Sequence, residues 1–131
     1  MPRQYKGNIV ADEGAKREYV KIAQTEGWKI ILIPPSYRNI GLSDRAVIKK
    51  YTKNIHPIFT NDKTSYKEYA LTTEDLGRNG FVIHEFVKPE EEEDYRKQIK
   101  NFFKTYTEKH THGAVWTIRK IGKPVKKSIK Q

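Results

Sequence analysis

Apolar and polar positions change period several times along the chain. Gly7 to Ala11 reads as a short strand that ends at Asp12. Residues 14 to 26 then place Ala15, Tyr19, Ile22 and Ala23 on one helical face. Gly27 supplies a natural stop after that helix. Trp28 to Ile33 is a second strand, and its continuous apolar run predicts a strand covered on both faces, ended by Pro34-Pro35.

A loop over 36 to 42 leads to Ser43, an N-cap type, with Asp44 in the first turn of a helix running to about Lys53. Val47, Ile48 and Tyr51 would face inward from it. His56 to Thr60 is a third strand, leading into Asn61-Asp62. Thr64 can cap a short helix over 64 to 71, and a loop over 72 to 79 precedes a fourth strand from Phe81 to Val87. Pro89 opens the most regular helix, in which Tyr95, Ile99, Phe102, Phe103 and Tyr106 form one stripe. Its acidic start, Glu90 to Asp94, suits a helix N-terminus better than a metal site, and Lys100 and Lys104 suit its far end. Ala114 to Ile121 is a last strand. This alternation of strand and helix predicts an α/β domain with a mostly parallel central sheet. Right-handed crossovers would align the carboxyl ends of the strands along one edge, where open α/β sheets bind ligands.

With 131 residues and no internal repeat, the chain is expected to be a single domain, 1–131. No Cys is present, which excludes a disulfide scaffold, a zinc-thiolate site and a thiol nucleophile. Met1 to Lys6 contain no apolar h-region, and the longest apolar stretch, Ile30 to Ile33, is far too short to span a membrane. A cytoplasmic protein without a membrane partner is therefore expected. The net charge of +10 adds a polyanionic partner to this picture. The charge is concentrated in a basic C-terminal segment, 119–131, where Arg119, Lys120, Lys123, Lys126, Lys127 and Lys130 occur with no acid among them. Arg3 and Lys6 add a second basic group at the other end. The segment reads either as a solvated tail or as an arm for a nucleic-acid backbone.

Two acids follow apolar strands directly: Asp12 after Ile9-Val10-Ala11, and Asp62 after Ile58-Phe59-Thr60-Asn61. Asp44 opens the helix leading into the third strand, so all three can reach one edge of a parallel sheet. Clustered carboxylates repel one another unless a cation sits between them, and hard oxygen ligands suit Mg²⁺ or Mn²⁺. Each acid also has a plainer reading. Asp12 can start the first helix as a cap, Asp44 can complement its helix dipole, and Asp62 can be a turn residue.

The order Ala11-Asp12-Glu13, helix, Gly27, apolar strand, Leu42-Ser43-Asp44, helix, Phe59-Thr60-Asn61-Asp62 resembles the compact prokaryotic PIN-like families. The resemblance extends to the Gly80 to Val87 strand, the long helix and the basic end. It implies a three-layer PIN-like domain and a metal-dependent ribonuclease, often the toxin of a toxin–antitoxin pair. Asp12, Asp44 and Asp62 match the family's acidic residues, as catalytic groups and as ligands of Mg²⁺ or Mn²⁺. Glu13 matches the motif too. RNA would be the substrate, with an antitoxin protein or a second copy of the chain as further partners. One position departs from the pattern: Thr64 stands where the family usually carries another Asp, and Asp75 is the nearby acid that could replace it. That departure supports an alternative, a PIN-like domain with weak or lost catalysis that binds RNA or a protein partner.

Other polar groups read more simply. His110 and His112 would share one side of an extended segment, but a third metal ligand is missing, so a solvated loop is expected. Ser36, Tyr37 and Arg38 have ordinary loop polarity. Gly77-Arg78-Asn79-Gly80 precedes a strand and is therefore a turn, not a phosphate cradle.

Overall fold

The computed structural model describes residues 4–12, 14–32, 56–61 and 80–128. The helices expected over 43–53 and 64–71, and the loop residues Ser36, Tyr37 and Arg38, lie outside the described residues. Within them, strand β1 is Gly7–Ala11, helix α1 Arg17–Thr25, β2 Trp28–Leu32, β3 Ile58–Thr60 and β4 Phe81–His84. A 3₁₀ turn, Pro89–Glu91, leads into α2, Glu92–Thr105. A short helix α3, Glu108–Thr111, precedes β5, Ala114–Ile118, and β6, Val125–Ser128.

The strands form one sheet in the order β2-β1-β3-β4-β5-β6. The first five are mutually parallel, and β6 runs antiparallel to β5. The chain is thus a single α/β domain with a mostly parallel sheet, as its alternating pattern predicts. Residues that alternate along the strands are buried on both faces. Ile9, Ala11, Phe59, Val82, Ala114, Trp116 and Ile118 meet α1 and α2, through Tyr19, Val20, Ala23, Tyr95, Ile99, Phe102 and Phe103. Val10, Ile58, Phe81, Ile83 and Val115 point the other way and are equally buried, as a three-layer domain requires.

The aromatic residues fix the long helix to this sheet. Trp28 Nε1 donates to the Phe103 carbonyl at 3.0 Å, and the two rings meet edge to face with centroids 5.5 Å apart. Tyr95 is buried, and its hydroxyl donates to the Ile118 carbonyl at 2.6 Å while accepting the Glu85 N–H at 2.7 Å. One phenol oxygen therefore joins the ends of β4 and β5. Burial raises its pKa well above the ordinary phenol value.

Several boundaries differ from the expectation. The first helix begins at Arg17, because the Gly14 and Ala15 N–H groups turn to the Asp12 carboxylate instead of entering a helix. It stops at Gly27 as expected, where φ is +106°. Strand β2 is not covered on both faces: it ends the sheet order, and Leu32 is 59 % exposed. Strand β3 starts after Pro57, which has no N–H to give to a ladder. Strands β4 and β5 are shorter than their apolar runs.

Among the described residues, the basic end includes a paired strand. From Val125 to Ser128 it is a sheet strand, paired from Thr117↔Val125 to Ala114↔Ser128. His110 and His112 do not share an extended segment either. His110 lies in α3, where its Nδ1 accepts the Thr107 N–H at 3.0 Å. His112 Nε2 and His56 Nδ1 both approach Glu108 Oε2 at 3.3 Å, while Glu108 Oε1 accepts the Asn8 N–H at 2.7 Å. Glu108 thus ties α3 to the amino end of β1.

Candidate functional site

The strand order reverses between β1 and β3: the connection from β1 leads to β2 on one side, and the remaining strands extend on the other. At such a switch point the loops diverge and leave a crevice outside the carboxyl ends of the strands. Asp12 follows β1 there, and Asn61 follows β3.

Asp12 is held firmly and is 6 % exposed. Its Oδ1 accepts the Gly14 N–H at 2.9 Å and the Ala15 N–H at 3.1 Å, an Asx-turn that feeds the chain into α1. Its Oδ2 accepts the Thr60 hydroxyl at 2.8 Å, a bond between the ends of β1 and β3. The helix-starting role read from the sequence is therefore present, one turn ahead of the helix proper. Gly14 lets this turn approach β3 closely: a Cβ there would lie 2.5 Å from Asn61 Oδ1 and 3.2 Å from Asp12 Oδ1.

The sheet registers pair Val10 with Ile58 and Ala11 with Phe59. By the same alternation Asp12 lies on the face of Thr60, and His84 lies on the opposite face, with Phe59 and Val82. His84 Nε2 accepts the Lys16 backbone N–H at 3.0 Å, and Nδ1 lies 3.2 Å from the Glu85 carbonyl. These two bonds define a neutral imidazole with its proton on Nδ1. Burial is the largest influence on it and lowers its pKa below the ordinary histidine value. Its ring packs edge to face on Tyr19 and Phe59, with centroids 4.9 Å and 5.2 Å away.

The surface beside His84 on this second face is charged. Lys16 Nζ pairs with Glu92 Oε1, and Glu92 Oε2 accepts the Tyr19 hydroxyl at 3.0 Å. The Lys16 hydrogen bond is the main reason that Glu92 titrates below the usual carboxylate range, with Tyr19 and Arg96 assisting. Arg96 Nη1 donates to Glu18 Oε1 at 2.6 Å. The acidic start of α2 thus serves ion pairing with α1, in line with its reading as a charged helix terminus.

Of the three acids singled out by the sequence, the structure places Asp12. Asp44 and Asp62 lie outside the described residues, as do Glu13, Thr64 and Asp75. Among the described residues, no group of three or more His, Asp or Glu side chains is arranged to hold a metal ion. Arg119 and Lys120 follow β5 at the same sheet edge as Asp12, and Lys123 lies in the connection to β6. Lys126 and Lys127 lie on β6 and, as successive strand residues, point to opposite faces. Lys120 Nζ lies 3.6 Å from Glu91 Oε1. Lys126 Nζ sits over the Trp116 ring, 5.6 Å from its centroid.

Sequence reasoning missed Gly14 and His84 as parts of this edge, and it quoted Thr60 in a strand-end motif without its bond to Asp12. The signal for His84 was available: like Asp12, it is the polar residue that closes an apolar strand. Fold and edge together define an α/β domain with a mostly parallel sheet and an anchored carboxylate at the point where its strand order reverses. No protein-family model matches the chain, and neither a curated protein nor a solved structure does. No helix among the described residues is long and apolar enough to cross a membrane.

Proposed function

We propose that the chain is a metal-dependent ribonuclease of the PIN-like type, acting as the toxin of a toxin–antitoxin pair in the cytoplasm. The observation that carries this reading is the position of Asp12 at the β1/β3 switch point, bonded to Thr60 and beside Asn61, the residue before Asp62. Asp12, Asp44 and Asp62 are the proposed ligands and catalytic acids. The chemistry of the donor set fits Mg²⁺ or Mn²⁺, since carboxylate oxygens are the hard ligands these ions prefer. A divalent cation bound there supplies a water activated near neutral pH and a counter-charge for the phosphodiester. The chain's own contribution is to orient: two backbone N–H groups and one hydroxyl fix the Asp12 carboxylate before any ligand arrives. Arg119, Lys120, Lys123, Lys126 and Lys127 would draw RNA toward that edge. From β1 to β5 the sheet spans three strand spacings, about 14 Å, so an RNA strand lying across the edge reaches both groups.

A second reading, an RNA-binding domain without catalysis, is favoured by the same Asp12 bonds, because a carboxylate fully used in a turn needs no metal to account for it. The deciding experiment is cleavage of single-stranded RNA with Mg²⁺ or Mn²⁺ by wild type and by Asp62→Asn. Metal-dependent cleavage that disappears in the variant establishes the nuclease. RNA binding without cleavage, unchanged by Asp62→Asn, establishes the second reading.

A further inference from the structure

Between the outer side of α2 and the β5–β6 hairpin runs a groove of about 400 Å³. Gln98, Asn101, Thr105 and Tyr106 line one wall, and Gly122 and Lys123 line the other. Gln98 Nε2 donates to the Gly122 carbonyl at 2.7 Å and so sets the width of one end. Tyr106, half-buried, stacks at a tilt on Trp116 with centroids 4.6 Å apart, and Lys126 Nζ lies over the same indole.

The charge of the two walls is one-sided. On the helix, Lys97 and Lys104 neighbour Asn101 at i−4 and i+3 and rim the groove, while Arg96 is turned to Glu18. From Lys109 to Ser128 the hairpin side carries bases and no acid. Glu108, the acid between them, is turned to Asn8, His56 and His112. Lys123 is the charged residue of the lining, and with Lys97 and Lys104 on the rim it gives the groove a positive field.

The lining adds chemistry that charge alone does not require. Asn101 offers both a donor and an acceptor in one plane, as the edge of a nucleobase does, and Tyr106 offers part of a ring face. We infer that this groove seats one nucleotide of single-stranded RNA, with its phosphate against Lys123 and Lys126 and its base against Asn101 and Tyr106. The inference rests on the nucleic-acid reading above and adds where the RNA lies. The dimensions exclude a double helix: a recess between one helix and one hairpin admits a splayed base, whereas paired bases stay stacked inside their duplex. An acidic protein segment would meet the lysines too, but it lacks the planar base that can pair with the Asn101 amide while stacking on Tyr106.

The test is fluorescence anisotropy with labelled short oligo(U) in EDTA, so that binding is read without cleavage. The Lys123→Gln/Lys126→Gln double variant should weaken binding about tenfold at low salt. It should also reduce the log–log salt slope by about 1.4, two contacts at roughly 0.7 each. Asn101→Ala should weaken oligo(U) binding with the salt slope unchanged, since it removes no charge. A Lys21→Gln/Lys29→Gln control, with the same loss of charge on α1 and β2, should bind as wild type does, and thermal melts should show all variants folded. Photo-crosslinking of 4-thiouridine RNA should label the peptide containing Tyr106. Three results overturn the inference: equal loss in the control, duplex RNA competing as well as oligo(U), or poly-glutamate competing as well as oligo(U), which would point to an acidic protein. Wild-type cleavage with unaltered binding by the groove variants would end the inference and leave the nuclease intact. Groove-dependent binding without cleavage would end the nuclease and leave the inference intact.

Discussion

His84 Nε2 accepts the backbone N–H of Lys16, so a side chain of β4 holds the turn that presents Asp12, although the two lie on opposite faces of the sheet. The bond exists only with Nε2 unprotonated. Burial lowers the folded-state pKa, whereas the unfolded chain has the ordinary value of about 6.5. Above that pH neither state carries the proton, and His84 contributes no pH dependence. Below it the unfolded chain takes up a proton that the folded chain refuses. Stability should then fall by up to about 1.4 kcal/mol per pH unit until the folded pKa is reached. His84→Gln keeps an acceptor for Lys16 but does not titrate. Urea unfolding between neutral and mildly acidic pH should show the difference between wild type and His84→Gln shrinking or reversing as pH falls. A constant difference would show that His84 protonates as easily folded as unfolded.

Asp12 should tolerate Asn far better than Ala. Asn keeps an oxygen for the Gly14 and Ala15 N–H groups, and its amide can donate to the Thr60 hydroxyl oxygen. Asp12→Asn should therefore lose less than about 1 kcal/mol, while Asp12→Ala leaves buried donors unmatched and should lose about 1–3 kcal/mol. Denaturant titration gives both numbers. On the proposed function, both variants should abolish metal-dependent cleavage, so a folded but inactive Asp12→Asn separates the turn role from the chemical one.

Tyr95→Phe removes one atom that serves two strands. The Glu85 N–H loses its acceptor and the Ile118 carbonyl loses its donor, both near the buried core. A cost of about 1–3 kcal/mol is expected. Hydrogen exchange should localise it, with the Glu85 amide losing protection. An unchanged Glu85 exchange rate would mean that another group takes over the bond.

Phe103 is fully buried and touches the rings of Trp28, Phe59 and Phe102. Phe103→Ala should cost about 3–5 kcal/mol in chemical unfolding, because three aromatic neighbours cannot collapse into the space together. A loss below about 1 kcal/mol would show that α2 is free to shift toward the sheet.

The elements legible in the sequence are those whose burial follows one clear period. Tyr95, Ile99, Phe102 and Phe103 are core exactly because their spacing puts one side of α2 on the sheet. Asp12 was legible as the acid that closes β1, and the Asx-turn explains the late start of α1. Strand β6 was not legible. Val125-Lys126-Lys127-Ser128 is exposed throughout, so no alternation marks it, and backbone pairing with β5 alone makes it a strand. Helix α3 is too short to show a period, and Glu108 gains its role from Asn8, a residue distant in sequence. The apolar run of β2 misled because position in the sheet, which the run does not encode, decides how many faces are covered. The bond made by Thr60 was hidden for a similar reason: its partner Asp12 follows another strand.

The lysine-bearing strand β6 also has a colloidal consequence. As the last strand in the sheet order it exposes backbone groups that a second molecule could use to extend the sheet. Two copies meeting there would bring Lys126 and Lys127 against their own counterparts, and like charges keep the edges apart. Mutual repulsion thus guards this protein against fibre-like stacking, and the guard is only as strong as the charge is bare: a polyanion that neutralises those lysines also removes the barrier to self-assembly.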